Sequence, residues 1–265
     1  MKPCNELSDH IEFFSESIPP DTFEPGLTNV KMFPSYTPTF WFNLGTPYYF
    51  LTAGKKYLIN ENDDILVLRD CSVEKLKQST DHIFTVKFLP GGLEAVLGIS
   101  QLSLIDQVIK LDTILPAAII RSIKHATCFE ERLAIMQGCL LTSLSGQRKD
   151  HYLQFVHDCI ENYGSTDLQL NTSQMAEKMF VTSKTINRYF NKVVGTSPKN
   201  YFTILRARTA LTAYVNQKDN FSPYDFGYYD MSHFYKDVVK FTGRRASPQP
   251  LSKPHPNPSP KERGF

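Results

Sequence analysis

Long apolar runs are scarce in this chain of 265 residues. The longest, such as the one at 115–120, are far shorter than the roughly 20 apolar residues that a membrane-spanning helix needs. The N-terminus also has no basic segment followed by an apolar core, which is the pattern of a secretory signal. We therefore expect a cytoplasmic protein with no membrane partner.

Cysteine and histidine are too sparse for the common metal and disulfide sites. The five cysteines are scattered, odd in number and never arranged as a CxxC pair, which excludes a disulfide framework and a zinc cage. The first 110 residues hold only two histidines, His10 and His82, and these are not at metal-ligand spacing. We therefore expect no metal, no cofactor and no enzyme activity.

Charge is divided unevenly along the chain. Residues 150–246 contain 12 Lys and Arg against 9 Asp and Glu, whereas residues 1–149 contain 14 against 17. A basic C-terminal part on an acidic remainder favours a polyanionic partner, although a balance of only +3 is a weak signal.

Residues 1–110 have the composition of short strands separated by turns. The segments 39–44 and 84–88 are rich in aromatic and β-branched residues, and the second alternates, so we expect Lys87 to face solvent. The pattern predicts a β-sandwich or barrel-like domain for sensing or dimerisation. Four aromatic residues in it either line a small-molecule pocket or, as we favour, fill a core: Trp41, Tyr48, Tyr49 and Phe50.

The hydrophobic period then changes to that of helices. A short helix is predicted near 93–97, and amphipathic helices are predicted at 116–124 and 130–144. We assign residues 111–148 to a helical linker that either packs on its neighbours or forms a dimer interface. The last segment, 247–265, is rich in Pro, Ser and Lys and is expected to be disordered.

Two short helices are predicted within 171–194. Apolar pairs at 175–176 and 179–180 define the first, and Thr182 is a suitable N-cap for the second. The second has an apolar stripe at i, i+3, i+4 and i+7: Ile186, Tyr189, Phe190 and Val193. Two such helices joined by a short turn form a helix-turn-helix unit.

The opposite face of the second helix is polar. It carries Lys184, Asn187, Arg188 and Asn191, whose side chains suit guanine, adenine or phosphate. The hydrophobic periodicity alone does not show that this face binds DNA. The polar face of most amphipathic helices is simply solvated, and that reading stays open here.

The sequence here resembles the AraC family of transcription regulators. The strings TSKTINRYF at 182–190 and GTSPKNY at 195–201 are similar to the family's first recognition helix and the turn that follows it. Arg206, Arg208, Ala210 and Leu211 stand where the family's long connecting helix has such residues, and we expect that helix at about 199–215. Gly195 can adopt a left-handed conformation, and Pro198 can begin the connecting helix.

A second stretch resembles the family's second unit. The string GYYDMSHF at 227–234 is similar to its turn and recognition helix, with Asp230 as the N-cap and an end near Gly243. Ser222 and Pro223 replace the Ile-Ala pair usual in the family, so the helix before this turn should be short or distorted. The resemblance implies these DNA contacts from the two units: Lys184, Thr185, Asn187, Arg188, Asn191, Met231, Ser232, Tyr235 and Lys236.

The strand and helix patterns, with a resemblance that covers roughly residues 150–245, predict an α+β protein with three parts ahead of the tail. These are a β-rich domain (1–110), the helical linker (111–148) and an all-α double helix-turn-helix domain (149–246). The segment 87–92 is similar to a sensor domain that precedes some AraC-type units.

The expected function is sequence-specific regulation of transcription, with double-stranded DNA and RNA polymerase as partners. Activation and repression both stay open, as do a small-molecule effector and a homodimer. The alternative is a regulator that acts through protein partners and binds DNA weakly. A DNA-repair regulator of the Ada type is excluded, because its zinc-held cysteine needs four clustered cysteines and only Cys4 and Cys71 lie within the first 110 residues.

Overall fold

The computed structural model of the chain describes residues 1–18, 28–144, 150–216 and 220–243. The segment predicted to be disordered, 247–265, lies outside these residues. The strands are β1 (Ile11–Ser17), β2 (Thr28–Met32), β3 (Pro38–Asn43), β4 (Tyr48–Thr52), β5 (Lys55–Ile59), β6 (Ile65–Leu68), β7 (Val73–Lys77), β8 (Ile83–Phe88) and β9 (Val108–Lys110). The helices are α1 (Gly92–Leu97), α2 (Ala117–His125), α3 (Phe129–Leu144), α4 (His151–Gly164), α5 (Thr172–Lys178), α6 (Ser183–Val193), α7 (Pro198–Asn216) and α8 (Met231–Thr242).

The N-terminal part is built on two antiparallel sheets. One has the strand order β1-β8-β3-β6-β9 and the other β2-β7-β4-β5. In the first sheet Phe40 lies opposite Val86, and Phe42 lies opposite Phe84. The predicted strands at 39–44 and 84–88 are confirmed, and with the helical C-terminal part they give the expected α+β fold.

Both faces of the first sheet are buried, which explains why all six residues of β3 are buried. On one face, side chains of the two sheets meet in a core that includes Trp41, Tyr48 and Phe50. The interpretation as a packed core is therefore confirmed for these three residues, whereas Tyr49 is exposed. The sheets thus form a sandwich, and its aromatic interior is filled by its own side chains.

The other face of the first sheet is covered by the helices α1, α2 and α3. Ile123, Leu133 and Met136 are buried there in one core with Phe84 and Phe88 of β8. The predicted helices at 116–124 and 130–144 are confirmed, and they form a third layer on the sheet. The domain boundaries at residues 110, 148 and 246 stay predictions. None of the helices in the described parts of the chain has the length and apolar character that crossing a bilayer requires.

The expectation that Lys87 faces solvent is wrong. Lys87 does point away from Val86 and Phe88, but near this end of β8 it is covered by α7 of the C-terminal part and not by water. The Lys87 ammonium lies 2.8 Å from a carboxylate oxygen of Glu12 in β1, and the other oxygen of Glu12 accepts a hydrogen bond of 2.8 Å from Arg208 in α7. One carboxylate therefore joins the Lys87 and Arg208 side chains across the contact between the β-rich and the helical parts.

Gln101 makes a second contact between the two parts. It lies in a 3₁₀ turn (Gln101–Leu104), is fully buried, and accepts a hydrogen bond of 2.7 Å from the Gly91 amide. Its amide group donates to the carbonyl of Val194 at 2.8 Å and to that of Tyr36 at 3.3 Å. Because Val194 is the C-cap of α6, the N-terminal part binds the end of the first predicted recognition helix.

The first testable prediction concerns this buried amide. Gln101→Ala leaves the Gly91 amide and the Val194 carbonyl buried without this partner, which typically costs about 1–3 kcal/mol per group. We expect a clearly lower unfolding midpoint in thermal denaturation. Gln154→Ala is the control, because Gln154 is exposed and its side chain bonds only the half-buried Asp158 side chain in the contacts described. Equal midpoints of the two variants would contradict the role given to Gln101.

The second prediction is a pH dependence. Burial, followed by the charge of Arg208, lowers the pKa of Lys87 from 10.5 to about 7, against the opposing effect of Glu12. Between these values the unfolded chain binds more protons than the folded chain, so this group makes stability rise with pH from about 7 upward. Lys87→Met should lose that rise in a pH series of thermal midpoints. The exposed-lysine variant Lys56→Met should keep it, and parallel profiles for all three proteins would show that Lys87 does not titrate in this window.

Candidate nucleic-acid interface

The first helix-turn-helix unit consists of α5, a four-residue turn and α6. A capping box begins α5, with the Asn171 side chain accepting from backbone amides and Gln174 bonding back to the Asn171 amide. Thr182 caps α6 as predicted, because its hydroxyl accepts a hydrogen bond of 3.2 Å from the Thr185 amide. Both helices therefore have defined starts, which fixes the turn between them.

The predicted apolar stripe of α6 holds it to the domain. Ile186, Phe190 and Val193 are buried, which confirms three of its four members. Tyr189 is half-buried, and its ring meets those of Tyr152 and Phe155 in α4 at centroid distances of 4.7 and 5.0 Å. The opposite face of α6 is thus directed away from the domain.

That opposite face carries the five predicted DNA contacts of the first unit. Lys184, Arg188 and Asn191 are exposed, and Thr185 and Asn187 are half-buried. The amides of Asn187 and Asn191 donate at 2.8 Å to the carbonyls of Ser183 and Asn187, each one helical turn earlier. The Arg188 guanidinium lies over the Tyr189 ring, 5.2 Å from its centroid. The oxygens of both amides are left to accept, and Arg188 can reach outward, as readout of base edges requires.

The prediction of an apolar pair at 179–180 on the first helix is wrong for Phe180. Met175 and Ala176 are buried, but α5 ends at Lys178, and Phe180 is 96% exposed with a φ of +54°. The chain leaves the helix at this point, so the helical period no longer applies. Sequence periodicity therefore missed Phe180 as a surface residue.

The connector is α7, which agrees with the predicted helix at about 199–215. Gly195 has a φ of +85° and Pro198 begins the helix, both as expected. Tyr201 and Phe202 of α7 are buried against Phe190 of α6, with ring centroids 5.9 and 5.3 Å apart. With 19 residues, α7 is about 28 Å long at ~1.5 Å per residue.

The second unit begins irregularly, as Pro223 predicts. In place of a full helix there is a four-residue 3₁₀ turn (Pro223–Phe226), followed by Gly227 with a φ of +67°. Asp230 then caps α8, accepting a hydrogen bond of 2.7 Å from the His233 amide, and Gly243 ends it. The second recognition helix is thus well formed although its supporting helix is short.

Only part of the predicted second contact surface is free. Ser232 and Lys236 are exposed. Met231 and Tyr235 are half-buried and pack on the cluster around Phe234. The Tyr235 hydroxyl lies 3.1 Å from that of Tyr214, and burial followed by this hydrogen bond raises the pKa of Tyr235 to about 12.

Polar contacts of the Asp237 side chain hold α8 against the connector. Its carboxylate accepts a hydrogen bond of 3.2 Å from the Tyr228 hydroxyl and a contact of 3.4 Å from Arg206 of α7. The Arg206 guanidinium also lies over the Tyr228 ring at 4.6 Å. Arg206, assigned to the connector by the resemblance, therefore positions the second unit.

The structure also brings together a group that the sequence did not single out. In the described residues, ligand atoms of His157, Asp158 and Glu161 on one turn of α4 lie within 4.8 Å of one another. All three are at least partly exposed, and the Asp158 carboxylate accepts from Gln154. The five cysteines are unpaired, and one of them, Cys128, is exposed.

The C-terminal part matches a known domain family. A family described as a helix-turn-helix domain matches residues 175–248. No curated protein is similar in sequence to this chain.

Solved structures are similar to much of the chain. An apo variant of ToxT from Vibrio cholerae has a TM-score of 0.50 at 8% identity, covering 88% of this chain and 95% of that one. ToxT itself has 0.49 at 10% identity over 88% and 96%. The AraC-like transcriptional activator CuxR has 0.25 at 12% identity over 77% and 87%. The first likeness supports the order found here, a β-rich part followed by a helical one.

The two recognition helices, their turns and the connector lie in the order that the sequence predicts, and most of them lie within the matched segment. The C-terminal part of this chain is therefore a helix-turn-helix domain of the AraC type, the DNA-binding domain of a transcription regulator.

Proposed function

We propose that this protein binds specific sequences of double-stranded DNA by placing α6 in the major groove. The observation that carries the proposal is the outward face of α6, where Lys184, Asn187 and Arg188 stand opposite a stripe with three buried members: Ile186, Phe190 and Val193. Thr185 and Asn191 extend this face. Arginine bonds guanine and asparagine bonds adenine in two places each, so the face has the chemistry of direct readout.

The second unit is proposed to contact DNA mainly for affinity. Its free polar groups are Ser232 and Lys236, which suit phosphate oxygens, while Met231 and Tyr235 add packing at the edge. A connector of about 28 Å keeps the two helices near the ~34 Å that separates successive major grooves on one DNA face. One chain would thus read two unlike half-sites.

Control of DNA binding is assigned to the N-terminal part. Contacts from it reach the first unit through Gln101, the connector through Glu12, and the second unit through the rings of Phe33 and Phe241, 5.5 Å apart. A small-molecule effector or a homodimer that changes the N-terminal part would therefore act on both units. We assign RNA polymerase as the protein partner and the cytoplasm as the location.

The test begins with operators selected by the full-length protein from a random duplex library at low salt. Arg188→Ala should weaken binding to the selected sequence by about 1–3 kcal/mol, the usual value of a base-specific pair, and relax the preferred base at one position. Lys55→Ala, on an exposed strand of the β-rich part, should bind as the wild type does. Equal losses from the two variants would contradict the placement of α6, and no DNA complex at low salt would favour the protein-partner alternative.

The two units should contribute differently to DNA binding, the first mainly to sequence specificity and the second mainly to affinity. Lys236→Ala should lower affinity for all sequences by a similar factor and reduce the slope of log affinity against log salt by about one, because a phosphate contact is lost. Lys184→Ala and Asn187→Ala should change which sequences are selected. A larger change of selected sequence from Lys236→Ala than from the α6 variants would reverse our ranking of the two units.

A further inference from the structure

Phe180 is the most exposed large apolar side chain in the described part of the chain. Its exposure of 96% exceeds the 82% of Tyr229 and the 65% of Tyr224 and Ile18. A ring in this position contributes nothing to the core and leaves its apolar surface in water, which is unfavourable. Folding of this chain therefore does not explain why phenylalanine stands here.

The backbone at Phe180 also favours a different residue. The Val181 amide bonds the Ala176 carbonyl at 2.9 Å, and the Phe180 amide bonds that of Glu177 at 3.0 Å. This is a Schellman turn, in which the residue after the C-cap is left-handed and usually glycine. The φ of +54° at Phe180 is that left-handed conformation, which is costly for a residue with a side chain.

The second unit provides an internal comparison. There the Tyr228 amide bonds the Pro223 carbonyl at 3.1 Å and the Gly227 amide bonds that of Tyr224 at 3.0 Å, so the turn is the same. The left-handed position in that turn is occupied by glycine. The chain thus uses glycine in one of two equivalent turns and a fully exposed phenylalanine in the other.

Phe180 lies directly beside the proposed DNA-contacting surface. It is three residues before Ser183, the first residue of α6, so the two Cα atoms are at most ~10 Å apart. In helix-turn-helix proteins the N-terminal residues of the recognition helix reach the base edges, so a ring beside that end lies at the rim of the groove. Tyr229, one residue before the N-cap of α8, places a second exposed ring at the corresponding end of the other recognition helix.

We propose that the Phe180 ring contacts DNA at the rim of the groove that α6 enters, packing on a deoxyribose or a thymine methyl group. Phenylalanine is a known partner of the thymine methyl. DNA is favoured over a protein partner because the ring adjoins the helix end that DNA covers on docking. The inference rests on the proposed function of α6.

The test uses full-length protein and the operator selected by the wild type. Phe180→Gly removes both the ring and the backbone strain, so we expect a thermal midpoint a few degrees higher together with roughly tenfold weaker operator binding. The salt slope should be unchanged, because an apolar contact releases no counterions. Phe180→Tyr should bind nearly as well as the wild type. Leu58→Ala, which shortens an exposed apolar side chain on β5, should change neither property.

Three results would overturn the inference alone. Equal operator affinities of wild type and Phe180→Gly would show that the ring makes no DNA contact, while leaving the proposed function intact. Weaker binding with a salt slope reduced by about one would show that phosphate contacts were displaced instead. Lost regulation of a reporter gene at unchanged operator affinity would assign the ring to a protein partner. Absence of any wild-type complex would instead overturn the proposed function and this inference with it.

Discussion

A fully buried amide group is the constraint on which the arrangement of the two parts depends. A side chain such as that of Gln101 is expensive to remove from water unless its donors and acceptor all find partners. Its partners come from three segments: Gly91 and Tyr36 in the N-terminal part and Val194 at the end of α6. Separation of the parts would leave the Val194 carbonyl without this donor. The position of the first recognition helix is therefore tied to the sheet domain by hydrogen bonding as well as by packing.

The surrounding contacts extend this constraint to the whole C-terminal part. A Cβ at Gly91 would come within 2.7 Å of the Leu153 side chain, and one at Gly195 would come within 3.0 Å of the Leu102 side chain. Glycine thus allows the start of α1 to approach α4 closely, and the end of α6 to approach the 3₁₀ turn that contains Leu102. Further along, the ion pair of Glu12 with Arg208 and the Phe33–Phe241 contact hold α7 and α8. Any movement of the sheets relative to α7 must break charged and apolar contacts together, which makes the relative placement of the two units a property of the full chain.

Sequence reasoning succeeded where local patterns decide the outcome. Period, caps and turn residues were sufficient for α6, α7 and α8, because Thr182, Pro198 and Asp230 act within a few residues of their own position. It failed at Lys87 and Phe180 for two different reasons. The alternation of β8 gives the face on which Lys87 lies, but only the tertiary structure says that α7 covers that face. At Phe180 the apolar character predicted burial, whereas the helix ends two residues earlier and turns the side chain outward.

The two units solve the same structural problem with different means, and this explains their proposed division of roles. In the first, a regular α5 with a capping box supports α6, and the Tyr152 and Phe155 rings of α4 pack against Tyr189. Because α6 is held rigidly, it can keep several side chains in register with base edges. In the second, a 3₁₀ turn supports α8, and side chains from the connector replace the missing helix: Tyr214 bonds Tyr235, and Arg206 reaches Asp237. That support draws Tyr235 partly into the core. Groups used to stabilise a recognition helix are less free to read bases, so the irregular start of the second unit itself reduces the polar surface available for specificity.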